Sequence, residues 1–261
     1  MIERAALGFL LASLIVLVAV RSRALTRDGG VAAVVVGTIC VAAGWGWAAL
    51  LVVFFVTSSA LSRVREAARA RLTESVIAKG GARDALQVLA NGGIFTLTAL
   101  LSLLLPWAGW LPLGAGAIAA STADTWSSEV GTLSPTPPVL VTSWKRVPAG
   151  TSGAVTPLGL GAAVAGALLI ALVAWLVGWP PGAAIAAIIG GVAGAVADSF
   201  AGALWQARRC CRHCGQHTER KVHICGTTTE LTGGISWLDN DGVNLLSCAA
   251  GAVVALLVWL G

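Results

Sequence analysis

The chain has 261 residues, 57% hydrophobic and 11% charged, with a formal net charge of +5. A soluble domain carries about 25% charged residues, so this chain cannot clothe a water-exposed globule, and its hydrophobicity also excludes disorder. The apolar stretches are continuous, not alternating. That excludes an outer-membrane barrel and predicts an all-α polytopic membrane bundle with no large soluble domain.

Eight apolar segments follow in chain order: Ala5–Val20, Val31–Ala43, Trp45–Leu61, Ala85–Leu105, Leu111–Ala123, Thr156–Val177, Ala183–Trp205 and Val243–Leu260. A crossing takes about 20 residues, so Val31–Ala43 and Leu111–Ala123 are short. Each must borrow polar neighbours (Thr26–Gly30 and Asp124–Glu129) or form a half-span or re-entrant segment. Arg21 and Arg23 follow the first segment where a cleavage site would stand, so it reads as a span and not as a cleaved signal peptide. With both termini outside, every Lys and Arg except Arg4 falls in loops on the cytoplasmic side. The opposite links are short and uncharged, with Trp45, Trp47, Trp107, Trp110 and Trp179 in or beside them, where Trp favours the lipid–water boundary. Residues 1–261 read as one membrane domain of the cytoplasmic membrane, with 207–240 a cytoplasmic Cys/His-rich loop. Arg63–Lys79 reads as an amphipathic helix on the inner leaflet, its Val64, Ala67, Ala68 and Leu72 facing away from the cations.

Ionisable residues in or beside a membrane are costly and mark function by default. Lys79-Gly80-Gly81-Ala82-Arg83-Asp84 leads into a span carrying Gln87 and Asn91. Two glycines let the backbone approach a ligand, and the helix start offers unpaired N–H groups to an anion. The alternative is a lipid-headgroup anchor, which leaves Asn91 unexplained. Ser121, Asp124, Thr125 and Ser128 share a helical face with Glu129 at its edge. These are hard oxygen ligands suited to Mg²⁺, unless they are only a helix end dissolving into a loop. Gly190, Gly194, Asp198 and Gly202 recur every four residues. That spacing favours close helix packing and turns Asp198 into the bundle, where a carboxylate needs a cation, a donor or a proton.

Lys145-Arg146 and the loop Gly150-Thr151-Ser152-Gly153 precede the next span as a phosphate cradle or a plain turn; no P-loop motif occurs. Asp239-Asn240-Asp241-Gly242 reads as a capped helix start, with Asn244 a polar contributor to the same site. Cys211, Cys214, Cys225 and His223, with His213 and His217 nearby, supply enough ligands for a structural Zn²⁺; the alternative is free cytosolic thiols.

Ala123-Asp124-Thr125-Trp126-Ser127-Ser128-Glu129-Val130-Gly131, Gly150-Thr151-Ser152-Gly153, Ala197-Asp198-Ser199 with Gly202, and Asn240-Asp241-Gly242-Val243-Asn244 resemble the transmembrane protein 19 family. This is also called domain-of-unknown-function family 92 and includes the plant phytyl-phosphate kinase. Gln87-Val88-Leu89-Ala90-Asn91-Gly92-Gly93 matches a further signature. The resemblance covers most of the chain in order. It implies a membrane kinase that passes a phosphoryl group from a nucleoside triphosphate such as CTP to a phytyl or similar isoprenoid monophosphate.

On that reading Asp124, Asp198, Lys79 and Arg83 are catalytic. Gly80, Gly81, Asn91, Lys145, Gly150, Thr151, Ser152, Gly153 and Asn244 hold the phosphates. Asp124, Asp198, Glu129 and Asp84 are the candidate Mg²⁺ ligands. The expected partners are the isoprenoid phosphate, the nucleotide and the bilayer, with no nucleic acid. The rivals are another lipid phosphotransferase (a polyprenol kinase or a CDP-lipid cytidylyltransferase) and a transporter, which would gather its polar groups at the midplane.

Overall fold

A computed structural model of the chain describes residues 2–64, 73 and 75–261. Among these, eight long helices follow one another: α1 (Ile2–Arg21), α2 (Arg27–Ala43), α3 (Trp45–Arg63), α4 (Ala85–Leu104), α5 (Trp110–Gly131), α6 (Pro157–Leu176), α7 (Pro181–Leu204) and α8 (Asn240–Leu260). Six have the length and mean hydropathy to cross a bilayer; α2 and α5 fall short of that threshold. These are the two segments read as short. Each is nevertheless one unbroken helix and not a re-entrant turn. Thr26 caps α2 by accepting from Gly29 N, so the helix begins at Arg27. The 22 residues of α5 run on through Asp124 to Gly131, about 33 Å at 1.5 Å per residue. Its last two turns are polar because they border a cleft. The predicted amphipathic helix over Arg63–Lys79 falls largely on 65–72 and 74, outside the described residues.

Alternating helix directions divide the links between two ends. Gly44 and the links 105–109 and 177–180 lie at one end. The links 22–26, 132–156 and 205–239 and residues 75–84 lie at the other, with nearly all the basic residues among the described ones. At the short-link end Trp47 packs on Phe95, ring centroids 5.1 Å apart, and edge-on to Trp179 at 4.9 Å. Trp47 and Trp179 are buried while Trp45 and Trp107 are exposed. Only part of the expected boundary belt therefore faces out. Trp45 and Trp47, two residues apart on α3, point to opposite sides of the helix, so Trp47 faces the bundle, where the rings add area burial and edge contact.

The centre is α5, α7 and α8, each packed on the other two. A Cβ on Gly116 or Gly190 would strike the Gly251 carbonyl and Ala255 Cβ, and one on Gly194 would strike Ala120 Cβ. With no apolar driving force between helices in lipid, such backbone-close contact supplies the dispersion that holds them. Two small sheets decorate the long-link end. Strands β1 (Val139–Leu140) and β2 (Ala154–Val155) pair antiparallel. Strands β3 (Arg208–Cys211), β4 (His217–Thr218) and β5 (Thr229–Gly233) form an antiparallel sheet in the order β4-β3-β5.

Candidate functional site

A cleft of about 260 Å³ opens at the long-link end. Asp124 of α5 and Asp198 of α7 line it, their carboxylates within hydrogen-bonding reach of each other. The packing above explains the meeting. Gly194, one turn before Asp198, rests on Ala120, one turn before Asp124, so the two acids leave a single contact in the same direction. Asn244 of α8, with its amide oriented to satisfy both ends, donates to Asp198 Oδ2 at 3.2 Å. Glu129, a turn beyond Asp124, lines the same cleft and accepts from Ser62 Oγ of α3 at 2.7 Å.

The Gly150–Gly153 loop forms another wall. Gly153 sits at φ +77° against the last turns of α7, where a Cβ would collide with Ser199 O and the Ala203 backbone; a Cβ on Gly202 would strike Ser152 Oγ. Glycine on both sides is what lets loop and helix touch. Ser152 Oγ donates to Gln206 Oε1 at 2.5 Å, and Gln206 Nε2 donates to Glu219 Oε1 at 2.7 Å. Burial pushes the Glu219 carboxyl up to about 7, although the Ala78 N–H and Gln206 favour its charge.

Lys79 also lines the cleft. It contacts Asp241 Oδ2 at 2.6 Å and Asp84 Oδ2 at 2.7 Å. Partial burial lowers its pKa, but the Asp241 and Asp84 carboxylates more than offset this and hold its ammonium above the ordinary lysine range. Asp241 is 8% exposed, and its Oδ1 has no hydrogen-bond partner among the described residues. Six carboxylates (Asp124, Glu129, Asp198, Glu219, Asp239 and Asp241) thus line a cleft whose one described basic residue is Lys79. Hard oxygens in excess, one of them buried and unpartnered, fit a divalent cation of the Mg²⁺ type.

The other expected residues lie elsewhere. Asp84 caps α4, accepting from Gln87 N at 2.9 Å, while Gln87 Oε1 accepts from Asp84 N. Asp28 Oδ2 accepts from Ala85 N at 3.1 Å. The helix start behind Gly80 and Gly81 is thus already occupied by the chain's own carboxylates, and neither glycine lines the cleft. Lys145 is exposed near the β1–β2 hairpin, also outside the cleft. Arg83 donates to Ser59 Oγ at 3.1 Å and borders a separate apolar cavity of about 490 Å³ between α1, α2, α3 and α4. Gln87 and Asn91 are the other polar groups on that cavity. Asn91 donates to Gln87 O, and its own carbonyl accepts from Ser121 Oγ at 2.5 Å, tying α4 to α5 a turn before Asp124. Cys211, Cys214, His223 and Cys225 come together in the β3–β5 region, away from the cleft lining.

Residues 10–252 match the family described as integral membrane protein DUF92. The chain belongs to that family. It is 37% identical over 172 residues to Protein PGR of Arabidopsis thaliana, 60% of this chain and 59% of that protein. This DUF92 chain thus spans under two thirds of the plant protein's length. It is 32% identical over 254 residues to an uncharacterised membrane protein of Methanocaldococcus jannaschii, 92% of this chain and 87% of that one. No solved structure matches it. Sequence reasoning missed three cleft acids, Asp239, which it read only as part of a helix cap, Asp241 and Glu219. Asp241 had a signal, since Asp239 alone caps α8 by accepting from Gly242 N, leaving a second acid unspent. Glu219 had none, because Ala78 and Gln206, which hold it, are distant or featureless in sequence.

Proposed function

We propose that this protein is a membrane phosphotransferase that moves the γ-phosphoryl group of a nucleoside triphosphate, CTP-like, onto an isoprenoid monophosphate of the phytyl type. The observation that carries the reading is the cleft. Acids from α5, α7, α8 and the β3–β5 segment converge beside a Gly/Ser/Thr loop and Lys79 at one end of the bundle. Two polyanions approach each other only where charge is neutralised, and phosphoryl transfer is mostly positioning and electrostatics. The basic loops share that end, so the positive-inside rule puts the cleft at the cytoplasmic face, with both termini outside.

Asp124, Asp198 and Asp241 Oδ1 would hold Mg²⁺. When bound there, the ion would supply positive charge that offsets the charge developing on the phosphates. The backbone of Gly150–Gly153 would receive phosphate oxygens, and Asn244 would keep Asp198 aimed at the site. An oxygen of the isoprenoid phosphate forms the new bond to the γ-phosphorus as the bond to the nucleoside diphosphate breaks. That oxygen is already ionised near neutral pH, with a second phosphate pKa of about 6, so no strong general base is required. The cavity of about 490 Å³ beside Arg83 lies in the size range of ligand pockets. Its apolar walls suit the isoprenoid tail, and Arg83, the one cation among the described residues lining it, would attract an anionic head.

The test is the purified protein given isoprenoid phosphate, Mg²⁺ and nucleotide, with product analysis. A diphosphate supports the reading. A CDP-linked lipid with pyrophosphate released, or phosphorylation of a free polyprenol, would replace it with another lipid phosphotransferase. Flux into sealed proteoliposomes without nucleotide turnover would replace it with a transporter.

A further inference from the structure

The segment between α7 and α8 folds into two matching knuckles. In the first, β3 ends at Cys211, Cys214 follows in the turn, and Gly215 at φ +67° reverses the chain toward β4. In the second, His223 and Cys225 flank the turn, and Gly226 at φ +83° reverses the chain so that Val222 and Thr228 pair. Each knuckle presents two ligands, and the four ligand atoms lie within 4.8 Å of one another. Cys211 Sγ and Cys225 Sγ are 3.6 Å apart, and His223 Nδ1 is 3.1 Å from Cys225 Sγ. Two sulfurs bound tetrahedrally to one zinc at about 2.3 Å stand about 3.7 Å apart, whereas a disulfide joins them at about 2.05 Å. Cys210, which blurs the register in sequence, turns its sulfur toward the Cys211 carbonyl and stays outside the tetrad.

We propose that Cys211, Cys214, His223 and Cys225 bind one structural Zn²⁺, and that this ion clamps the outer wall of the cleft. Four protein ligands leave no open position for a substrate, so the site is structural, not catalytic. The clamp follows from what the sheet carries. Its strands have four, two and five residues, and short strands of this kind need help to be stable. Yet the turn after β4 anchors the 75–79 segment. Glu219 N and Thr218 Oγ1 both donate to Val76 O, at 2.8 and 3.1 Å, and Ala78 N donates to Glu219 Oε2 at 3.3 Å. The knuckles therefore steady Glu219 and, through the 75–79 segment, Lys79 in the cleft, beside the contacts of Lys79 with Asp84 and Asp241 and of Glu219 with Gln206.

Full-length protein, purified in detergent under reducing conditions, is expected to carry about one zinc per chain by mass spectrometry. Cys211→Ser and Cys225→Ser should lose it, and Cys210→Ser should keep it. After chelation, Co²⁺ added to the wild type should give a thiolate charge-transfer band with tetrahedral ligand-field absorption. This measurement decides the matter even where a cysteine variant fails to fold. Chelated protein should also exchange the Ala78 amide faster than the zinc-loaded form. An octahedral Co²⁺ spectrum, a Cys211–Cys225 disulfide found by peptide mapping, or zinc retained in both Cys211→Ser and Cys225→Ser overturns the site. Unchanged Ala78 exchange overturns the clamp. None of these readouts depends on nucleotide chemistry.

Discussion

The two halves of the bundle solve the same packing problem in opposite ways. In α5, α7 and α8 the contacts run through Gly116, Gly190, Gly194 and Gly251, and the helices touch backbone to backbone. In α1 to α4, Gly8 and Gly37 bring α1 against α2, but beside that contact larger side chains such as Leu11, Ile15, Leu51 and Phe55 surround a cavity of about 490 Å³. The first half permits one arrangement and carries the paired acids. The second tolerates several fillings and carries the space for a tail. Rigidity is placed where charges must converge, and slack where a flexible chain must enter.

The largest expected effect tests the rigid half chemically. Asp124→Asn should lower turnover by on the order of 10³-fold while leaving the protein inserted and folded. Near-wild-type turnover in the phosphotransfer assay would remove the paired acids from the chemistry.

The next concerns the wall that leans on the rigid half. Glu219 has a folded pKa of about 7 against an ordinary 4.5. Its folded state holds the proton more tightly than the unfolded chain, so this contribution is complete below about pH 4.5 and is lost as pH rises to about 7. The loss is about 3 kcal/mol. Thermal unfolding in detergent without added Mg²⁺, with the Cys/His site kept zinc-loaded, should show stability falling over that window, and Glu219→Gln should flatten the slope. Parallel profiles would show that folding does not shift the Glu219 carboxyl.

A matched pair of substitutions then sets the halves side by side. Gly194→Ala should destabilise by about 1–3 kcal/mol, because its methyl would overlap Ala120 Cβ where α5 and α7 cross. Gly92→Ala, whose methyl would find Val36 Cγ1 at a comfortable 3.8 Å, should gain up to about 1 kcal/mol from helix propensity. Equal midpoints in chemical denaturation would erase the contrast. The smallest effect probes the slack directly. Ala48→Phe, which fills the cavity wall, should raise KM for a long isoprenoid phosphate about tenfold with kcat little changed. A short-chain substrate should feel it less. An equal effect on both would place the tail elsewhere.

The sequence made the helices legible because uninterrupted apolar runs have few other solutions. For α2 and α5 it left two readings open, and the structure takes the one in which each helix borrows its polar neighbours. Their polar ends belong to the helix: Asp28 of α2 accepts from Ala85 N and the end of α5 lines the cleft, so a hydropathy reading stops before the helix does. Asp124 and Asp198 were legible as acids on small-residue faces. Arg83 was not placed correctly by its neighbours, since Lys79, four residues earlier, enters the cleft while Arg83 turns to Ser59. Asp84 carried an ambiguous signal, because a ligand and a cap look identical until the amides it satisfies are known.

Near its C-terminus α3 carries Ser59, which meets Arg83 on the oily chamber, and Ser62, which meets Glu129 on the charged one. They stand three residues apart, about 4.5 Å along one rigid axis. If a substrate bridges both chambers, that helix end acts as a ruler. It would gauge molecules from their head inward, rejecting those whose anionic group sits too far along the chain and staying indifferent to how far the tail trails behind.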